Sequence, residues 1–450
     1  MRALKRDNAR RVVFVCRELT GESLRSAQAL TRLDGVEVLA ICETAPNSHS
    51  GQIDVGTHQL GNVHDPAQLV GAMRELIRKY GPVDQMVTTR ETLLEPVAQV
   101  AEMTGVKGMT VSTVRRVLDK SSLKAVLKCA GIQTACDRMV TAADKARLFA
   151  DEVGFPIVLK PVLGSGGLAT WRIANAEQLE IALALTQPSL DNAYLAEECI
   201  VGDELCIDTI TLANEPRFYS VCCYRPSILE ALENPQVQWK CIMPRDITGP
   251  QYRDFIEQGL AAVRALSVGN AITHMEGFRL DDGSVRFIDA TIRPAGARIA
   301  PMLAFAYDID PYLAWASVAV NGCFDGPWER KYAVGTIFLR GPGSGVIEEV
   351  QGLESLNKNV GPLIVDYHLP AVGFRKSSTY TGDGYVTVRH EDTSVVEDVL
   401  DLIGQTVSMR YSEPQSLRPV DSKELWADRL QYFERQINKP AWDECVPPPA

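Results

Sequence analysis

The chain has 450 residues, 46% of them apolar and 23% charged, enough at roughly 150 residues per domain for about three packed domains. Its formal net charge of -11 excludes a non-specific nucleic-acid binder, which would need clustered Lys and Arg facing phosphates. Eleven cysteines without a CxxC pair or a Cys/His cluster, a charged start and no run of about 18 apolar residues predict reduced thiols in a cytoplasmic protein, with no zinc site, no secretion and no membrane span.

The first 110 residues alternate strand and helix, with strands at 12–16, 36–42 and 85–88 and helices at 22–33 and 66–79. That alternation predicts an open parallel sheet. The turn Arg17-Glu18-Leu19-Thr20-Gly21-Glu22 lacks GxGxxG, so the unit is expected to complete a substrate cleft rather than to bind a dinucleotide.

A helix at 121–130 starts behind Asp119-Lys120, and a second at 142–153 precedes an apolar strand at 157–159. Lys160 therefore ends a strand beside the turn Gly164-Ser165-Gly166-Gly167. Glycines let backbone amides approach phosphate oxygens while the ammonium neutralises their charge; standing alone, the segment reads more readily as a surface lysine before a loop. Residues 193–208 read as a strand, a glycine turn and a second strand, hence a hairpin. The backbone of Glu197-Glu198-Cys199-Ile200 can pair with an adenine, and Glu204 can accept from ribose hydroxyls; by itself the hairpin reads as a solvated acidic one.

Glu276 and Asp289 flank the turn Asp281-Asp282-Gly283, which predicts that they face the same side of adjacent antiparallel strands. Facing carboxylates repel unless a cation lies between them, and magnesium prefers oxygen ligands shared with phosphates. Arg293 and Arg298, on either side of Pro294-Ala295-Gly296-Ala297, add positive charge that could neutralise a transferring phosphoryl group or orient a carboxylate. His274 shares the strand face of Glu276 and is expected as a packed supporting group rather than a base. Residues 229–244, with Trp239-Lys240, are expected to contribute a lid.

With these pieces in order, the chain resembles the ATP-grasp superfamily, and more narrowly its carboxylate–amine ligases of the L-amino acid ligase type. The resemblance covers most of the chain: Asp119-Lys120, the strand ending in Lys160, the Glu197-Glu198 to Glu204 segment, Glu276, and the stretch from Asp289 to Arg298 follow the family's order. It implies an α/β and α+β architecture. An N-terminal open parallel α/β domain (1–110) would precede a two-lobed nucleotide-binding domain (111–190 and 191–330, the latter with the metal site), a small β-rich domain (331–415), and a terminal helix and tail (416–450). In that reading Gly341-Pro342-Gly343-Ser344-Gly345 is a turn, not a second phosphate loop, and a helix at 394–405 packs on the small domain. Trp426, Leu430, Phe433 and Ile437, at helical spacing, would pack on the body or on a dimer partner.

The resemblance further implies that ATP phosphorylates a small-molecule carboxylate and that an amine displaces phosphate from the acyl phosphate. Lys120, Lys160 and the turn Gly164, Ser165, Gly166, Gly167 would bind phosphates, Glu197, Glu198, Cys199 and Ile200 the adenine, and Glu204 the ribose. Glu276, Asp289 and Thr291 would hold magnesium, or manganese in its place, with Arg293 and Arg298 catalytic. The family usually reads Glu-x-Asn-x-Arg where this chain has Asp289-Ala290-Thr291-Ile292-Arg293; Asp reaches one methylene less far and a Thr hydroxyl replaces an amide oxygen, which predicts a variant metal site. A homodimer is implied as well. The alternatives are a catalytically silent ATP-binding protein and an ATP-grasp enzyme acting on a peptide or carrier protein.

Overall fold

The computed structural model describes residues 9–44, 53, 55–164, 167, 169–413, 423, 426–427 and 430–431. The N-terminal unit runs β1 (Arg10–Val15), α1 (Gly21–Thr31), β2 (Val36–Cys42), β3 (Gly56–Gln59), α2 (Pro66–Tyr80), β4 (Gln85–Val87) and α3 (Glu91–Thr104). Its sheet is parallel, in the order β3-β2-β1-β4. Val12 to Val15 are fully buried, as a strand covered by helices on both faces requires. Local chemistry sets the boundaries: Asp65 caps α2 by accepting from the Ala67 amide at 2.8 Å, with Pro66 at the first helical position. Helix α3 follows β4 directly and buries Leu93, Leu94, Val97, Ala98, Val100 and Ala101 on one side.

Helices α4 (Val111–Leu118) and α5 (Lys120–Cys129) meet at Asp119, which ends the first and caps the second through the Ser122 amide at 2.7 Å. This junction fixes Lys120 at the first position of α5. A second sheet follows, built from β5 (Asp137–Val140), α6 (Ala143–Val153), β6 (Ile157–Pro161), β7 (Trp171–Ile173), α7 (Ala176–Thr186) and β8 (Tyr194–Glu198), in the order β5-β8-β6-β7. Beyond it come β9 (Asp203–Leu212), β10 (Glu215–Arg225), α8 (Ile228–Glu233), β11 (Trp239–Met243), α9 (Pro250–Leu266), β12 (Ala271–Arg279), β13 (Val285–Thr291), α10 (Ile299–Tyr307) and α11 (Pro311–Ala316). The remainder is β14 (Ala333–Leu339), β15 (Ser344–Gln351), α12 (Leu353–Val360), β16 (Ile364–His368), β17 (Gly384–His390), α13 (Thr393–Thr406) and β18 (Ser408–Glu413).

Eight of these strands form one sheet, β13-β12-β9-β10-β11-β14-β17-β16, while β15 pairs with β18 separately. Strand β9 is buried on both faces: Leu205 and Ile207 pack with α5 and α9 residues such as Leu127 and Phe255, and Cys206 and Ile210 with Met302 and Trp239. Three strands from beyond residue 331 thus continue the same sheet as β9 to β13, and α13 packs across β14 and β17. Helix α11 carries Trp315 onto Phe14 of β1, ring centroids 6.1 Å apart, and so joins the N-terminal sheet to the large one.

Two expectations are overturned here. Residues 193–208 are not a hairpin: β8 pairs with β5 and β6 in one sheet, whereas β9 pairs with β10 and β12 in another. The segment between them bridges two sheets because each strand finds its partners far away in sequence. Nor do Trp239-Lys240 belong to a lid, since they lie in β11, an interior strand where Trp239 is fully buried; of residues 229–244, α8 does border the cleft described below. The turn at 341–345 directs carbonyls of Gly341 and Gly343 onto the Lys376 ammonium, an arrangement opposite to a phosphate loop's inward amides. Trp426 is buried against Trp171 of the second sheet, with Leu430 packed in the same cluster; Phe433 and Ile437 lie outside the described residues.

Candidate functional site

A cavity of about 530 Å³ lies between the second sheet and the large sheet, with α8 along one side. Lys120, Lys160, Gly164, Gly167, Glu198, Cys199, Ile200, Glu276, Asp289, Thr291 and Arg293 all border it, together with Glu197 and Glu204. Segments distant in sequence therefore converge on one space of a size suited to a nucleotide. Ser165 and Gly166 lie outside the described residues.

Lys120 reaches in from the start of α5, its backbone amide tied to the Val162 carbonyl at 3.2 Å. Its ammonium donates to the Gly164 carbonyl at 2.8 Å and pairs with Asp289 at 2.8 Å. Lys160, on β6, pairs with Glu197 at 2.9 Å and donates to the Ile288 carbonyl at 3.3 Å. Glu197 also takes Lys124 at 2.9 Å. Burial would raise the Glu197 carboxyl, but Lys124 and Lys160 outweigh it and hold the group below its ordinary value. Gly167 has φ +65, a conformation glycine adopts without strain, and lies close to α8: a Cβ there would come within 2.7 Å of Leu232 Cδ1.

On the opposite wall Glu276 pairs directly with Asp289 across β12 and β13, which puts both side chains on one face as expected; the turn's register alone would set Glu276 against Ile288, and a bulge between Glu276 and Gly277 shifts it by one residue. Glu276 Oε1 accepts from Tyr224 Oη at 3.3 Å and lies 3.2 Å from His274 Nε2, while His274 Nδ1 lies 3.1 Å from Asp208. His274 is buried, which opposes its charge, but the neighbouring Asp208 outweighs burial and raises the imidazole above its ordinary value. The histidine is thus a packed prop for Glu276. Glu204 accepts from the Ile228 amide at 2.6 Å and is pushed up to about 8 by burial and by the charge on Glu276. Thr291 Oγ1 is buried with no hydrogen-bond partner and borders the cavity. A hard cation fits this oxygen set, because it would satisfy the orphaned hydroxyl and the facing carboxylates together.

Arg293 enters the same space and donates to Glu91 Oε2 at 2.7 Å and to the Pro294 carbonyl at 2.7 Å. The structure does not bring Arg298 to the cavity. The left-handed backbone at Ala297 (φ 49) and Arg298 (φ 65) turns the side chain away, where its guanidinium pairs with Asp366 and stacks 4.4 Å over the Tyr385 ring. Reading the sequence missed Lys124, Glu91 and Tyr224. Glu91 opens a helix that the sequence reading did not place, although its buried Leu93, Leu94, Val97, Ala98 and Ala101 recur at helical spacing; Lys124 and Tyr224 carry no local signal and matter through their neighbours in space.

The family defined by the ATP-binding domain of the carbamoyl-phosphate synthase L chain matches residues 119–206. An L-arginine-specific L-amino acid ligase of Bacillus subtilis is 25% identical over 363 residues, covering 78% of this chain and 86% of that protein. The crystal structure of an L-amino acid ligase from Bacillus licheniformis is similar with a TM-score of 0.72 at 17% identity, over 91% of this chain and 100% of that one. The biotin carboxylase domain of the Hydrogenobacter thermophilus 2-oxoglutarate carboxylase, a dimer solved with MgADP and bicarbonate, follows with a TM-score of 0.66 at 17% identity, over 96% of this chain and 100% of that one. Among the described residues no helix is long and apolar enough to cross a membrane. The chain is thus similar to the carbamoyl-phosphate synthase ATP-binding domain over residues 119–206 and to an L-amino acid ligase over most of its length, and its fold is that of the L-amino acid ligase structure.

Proposed function

We propose that the protein joins an amino acid or related carboxylate to an amine at the expense of ATP, releasing ADP and phosphate. The observation that carries this reading is the convergence of Lys120 and Lys160 opposite Glu276, Asp289 and Thr291 in one cavity. Lys120 and Lys160 bind phosphate oxygens of ATP, the backbone from Glu197 to Ile200 receives the adenine, and Glu204 receives the ribose hydroxyls. Glu276, Asp289 and Thr291 would hold magnesium, or manganese in its place. When bound, the ion supplies neutralising charge on the phosphate oxygens. Arg293 sits where it can offset charge on the phosphoryl group in flight, and Arg298 is assigned to holding the start of α10 against β16 and β17.

The substrate carboxylate oxygen bonds to the γ-phosphorus as the bond to the bridging oxygen breaks, and ADP leaves with that electron pair. The amine lone pair then adds to the acyl carbon, the carbon–oxygen bond to phosphate breaks, and the surplus proton on nitrogen passes to solvent. The chain's contribution is position and charge, which is what phosphoryl transfer chiefly requires. The free thiols among the described residues suit a reducing compartment, and we place the enzyme in the cytoplasm.

The test is ADP release with magnesium and ATP against a matrix of carboxylates paired with amines, products read by mass. Release that needs both members of a pair, with a product one water lighter than the pair, is expected. Release without any carboxylate, or no release with any pair, would sink the reading.

A further inference from the structure

Resting on the ligase reading, we propose that Glu22 and Arg90 are specificity residues that hold the two outer charges of a pair of amino acids: the ammonium of the one being activated and the carboxylate of the one that attacks. A second cavity of about 450 Å³ adjoins the first, and Glu91, Gly164, Arg293 and Gly296 border both. It opens where the N-terminal sheet changes direction: the order β3-β2-β1-β4 puts β2 and β3 on one side of β1 and β4 on the other. In open parallel sheets ligands bind at that point, outside the carboxyl ends of the strands. The loop after β1 and the start of α1 deliver Glu22 to the cavity, and the loop after β4 delivers Arg90.

The charges that line this cavity are mostly matched already. Arg293 pairs with Glu91 at 2.7 Å, Arg17 with Glu43 at 3.3 Å and Glu95 with Arg115 at 2.6 Å. His64 lies 3.1 Å from the Thr92 hydroxyl, and burial lowers its proton affinity. Glu22 and Arg90 have no ion-pair partner within 4 Å among the described residues, while the Glu22 carboxylate acts at longer range on Arg25 and Arg293. Arg90 is moreover the residue before the first turn of α3 and offers no side-chain cap, so the free amides of that turn add to its positive charge.

One acid and one base left over is the demand that peptide-bond formation makes. Of the four charged ends of two amino acids, one carboxylate becomes the acyl phosphate and one amine becomes the amide nitrogen. The first substrate keeps its ammonium, and the second keeps its carboxylate. Glu22 suits the former and Arg90 the latter, the guanidinium offering two parallel donors to a carboxylate. A plain amine as second substrate would leave Arg90 unmatched.

The experiment is steady-state ADP release by the full chain, with each substrate compared with an analogue that lacks its outer charge. Both side chains are exposed, so Arg90→Gln and Glu22→Gln should fold, which a thermal melt verifies. Arg90→Gln should raise KM for the attacking amino acid about tenfold or more while leaving KM for its carboxamide near the wild-type value, with kcat little changed. Glu22→Gln should do the same for the activated amino acid but not for its N-acetyl analogue, and Arg90→Lys should restore part of the discrimination. Equal losses for charged substrate and analogue would overturn the assignment, as would wild-type KM values that are the same for both. Either result leaves the ligase reading standing, whereas a wild-type protein that releases no ADP with any pair refutes that reading itself.

Discussion

Glu204 shows how one buried side chain links the cavity to stability. Its carboxyl is pushed up to about 8 by burial and by the Glu276 charge, against an ordinary value of 4.5. Between those values the folded protein keeps a proton that the unfolded chain has lost, so stability declines as pH rises through that window. The contribution is fully present below the ordinary carboxyl range and gone above about 8. Glu204→Gln should therefore flatten the fall of melting temperature with pH in the nucleotide-free protein. An unchanged slope would mean that other groups govern it. Lys124 illustrates what single residues conceal: in sequence it is an ordinary helix lysine, yet it is 1% exposed and shares Glu197 with Lys160. Arg298 errs in the other direction, because nothing in Gly296-Ala297-Arg298 announces the left-handed backbone that sends it to Asp366.

Among the elements, those with local punctuation were legible and those defined by distant partners were not. Asp119 before α5 and Gly131 after it mark that helix, and the Asp281-Asp282-Gly283 turn marks the β12–β13 hairpin, but the turn's own register would put Glu276 opposite Ile288; a bulge next to Gly277, which no local signal announced, shifts it onto Asp289. Strands β8 and β9 looked like a hairpin because a glycine separates them, but pairing is decided by strands from other parts of the chain. Gly202, in the connection between them, explains why glycine stands there for another reason. A Cβ at this position would lie 2.4 Å from the Arg279 carbonyl oxygen and 3.0 Å from its carbon, both backbone atoms that cannot step aside cheaply. Gly202→Ala should cost about 1–3 kcal/mol of stability and weaken ATP binding, since the residue borders the nucleotide-sized cavity. Urea unfolding with and without ATP reads both effects; wild-type midpoints in both would show that the backbone yields freely.

At the scale of the molecule, three sheets each bring part of the chemistry. The second sheet supplies Lys160 and Glu197, the large sheet supplies Glu204, Glu276 and Asp289, and the N-terminal unit supplies Glu91, Glu22 and Arg90. Although reading the sequence did not place β3, α3, α4, α7, α9 and α10, part of the order of strands and helices was readable because apolar periodicity is local. How the N-terminal unit meets the rest was not, because that contact rests on Trp315 against Phe14 and on the Arg293–Glu91 pair, side chains whose spacing in sequence carries no sign of their meeting. The central claim is that ATP activates a carboxylate as an acyl phosphate before an amine attacks. The most direct measurement is to supply the carboxylate substrate enriched in oxygen-18 and to read the released phosphate by mass. The account predicts that each turnover transfers one labelled oxygen from the carboxylate to phosphate; phosphate that carries no label would contradict it.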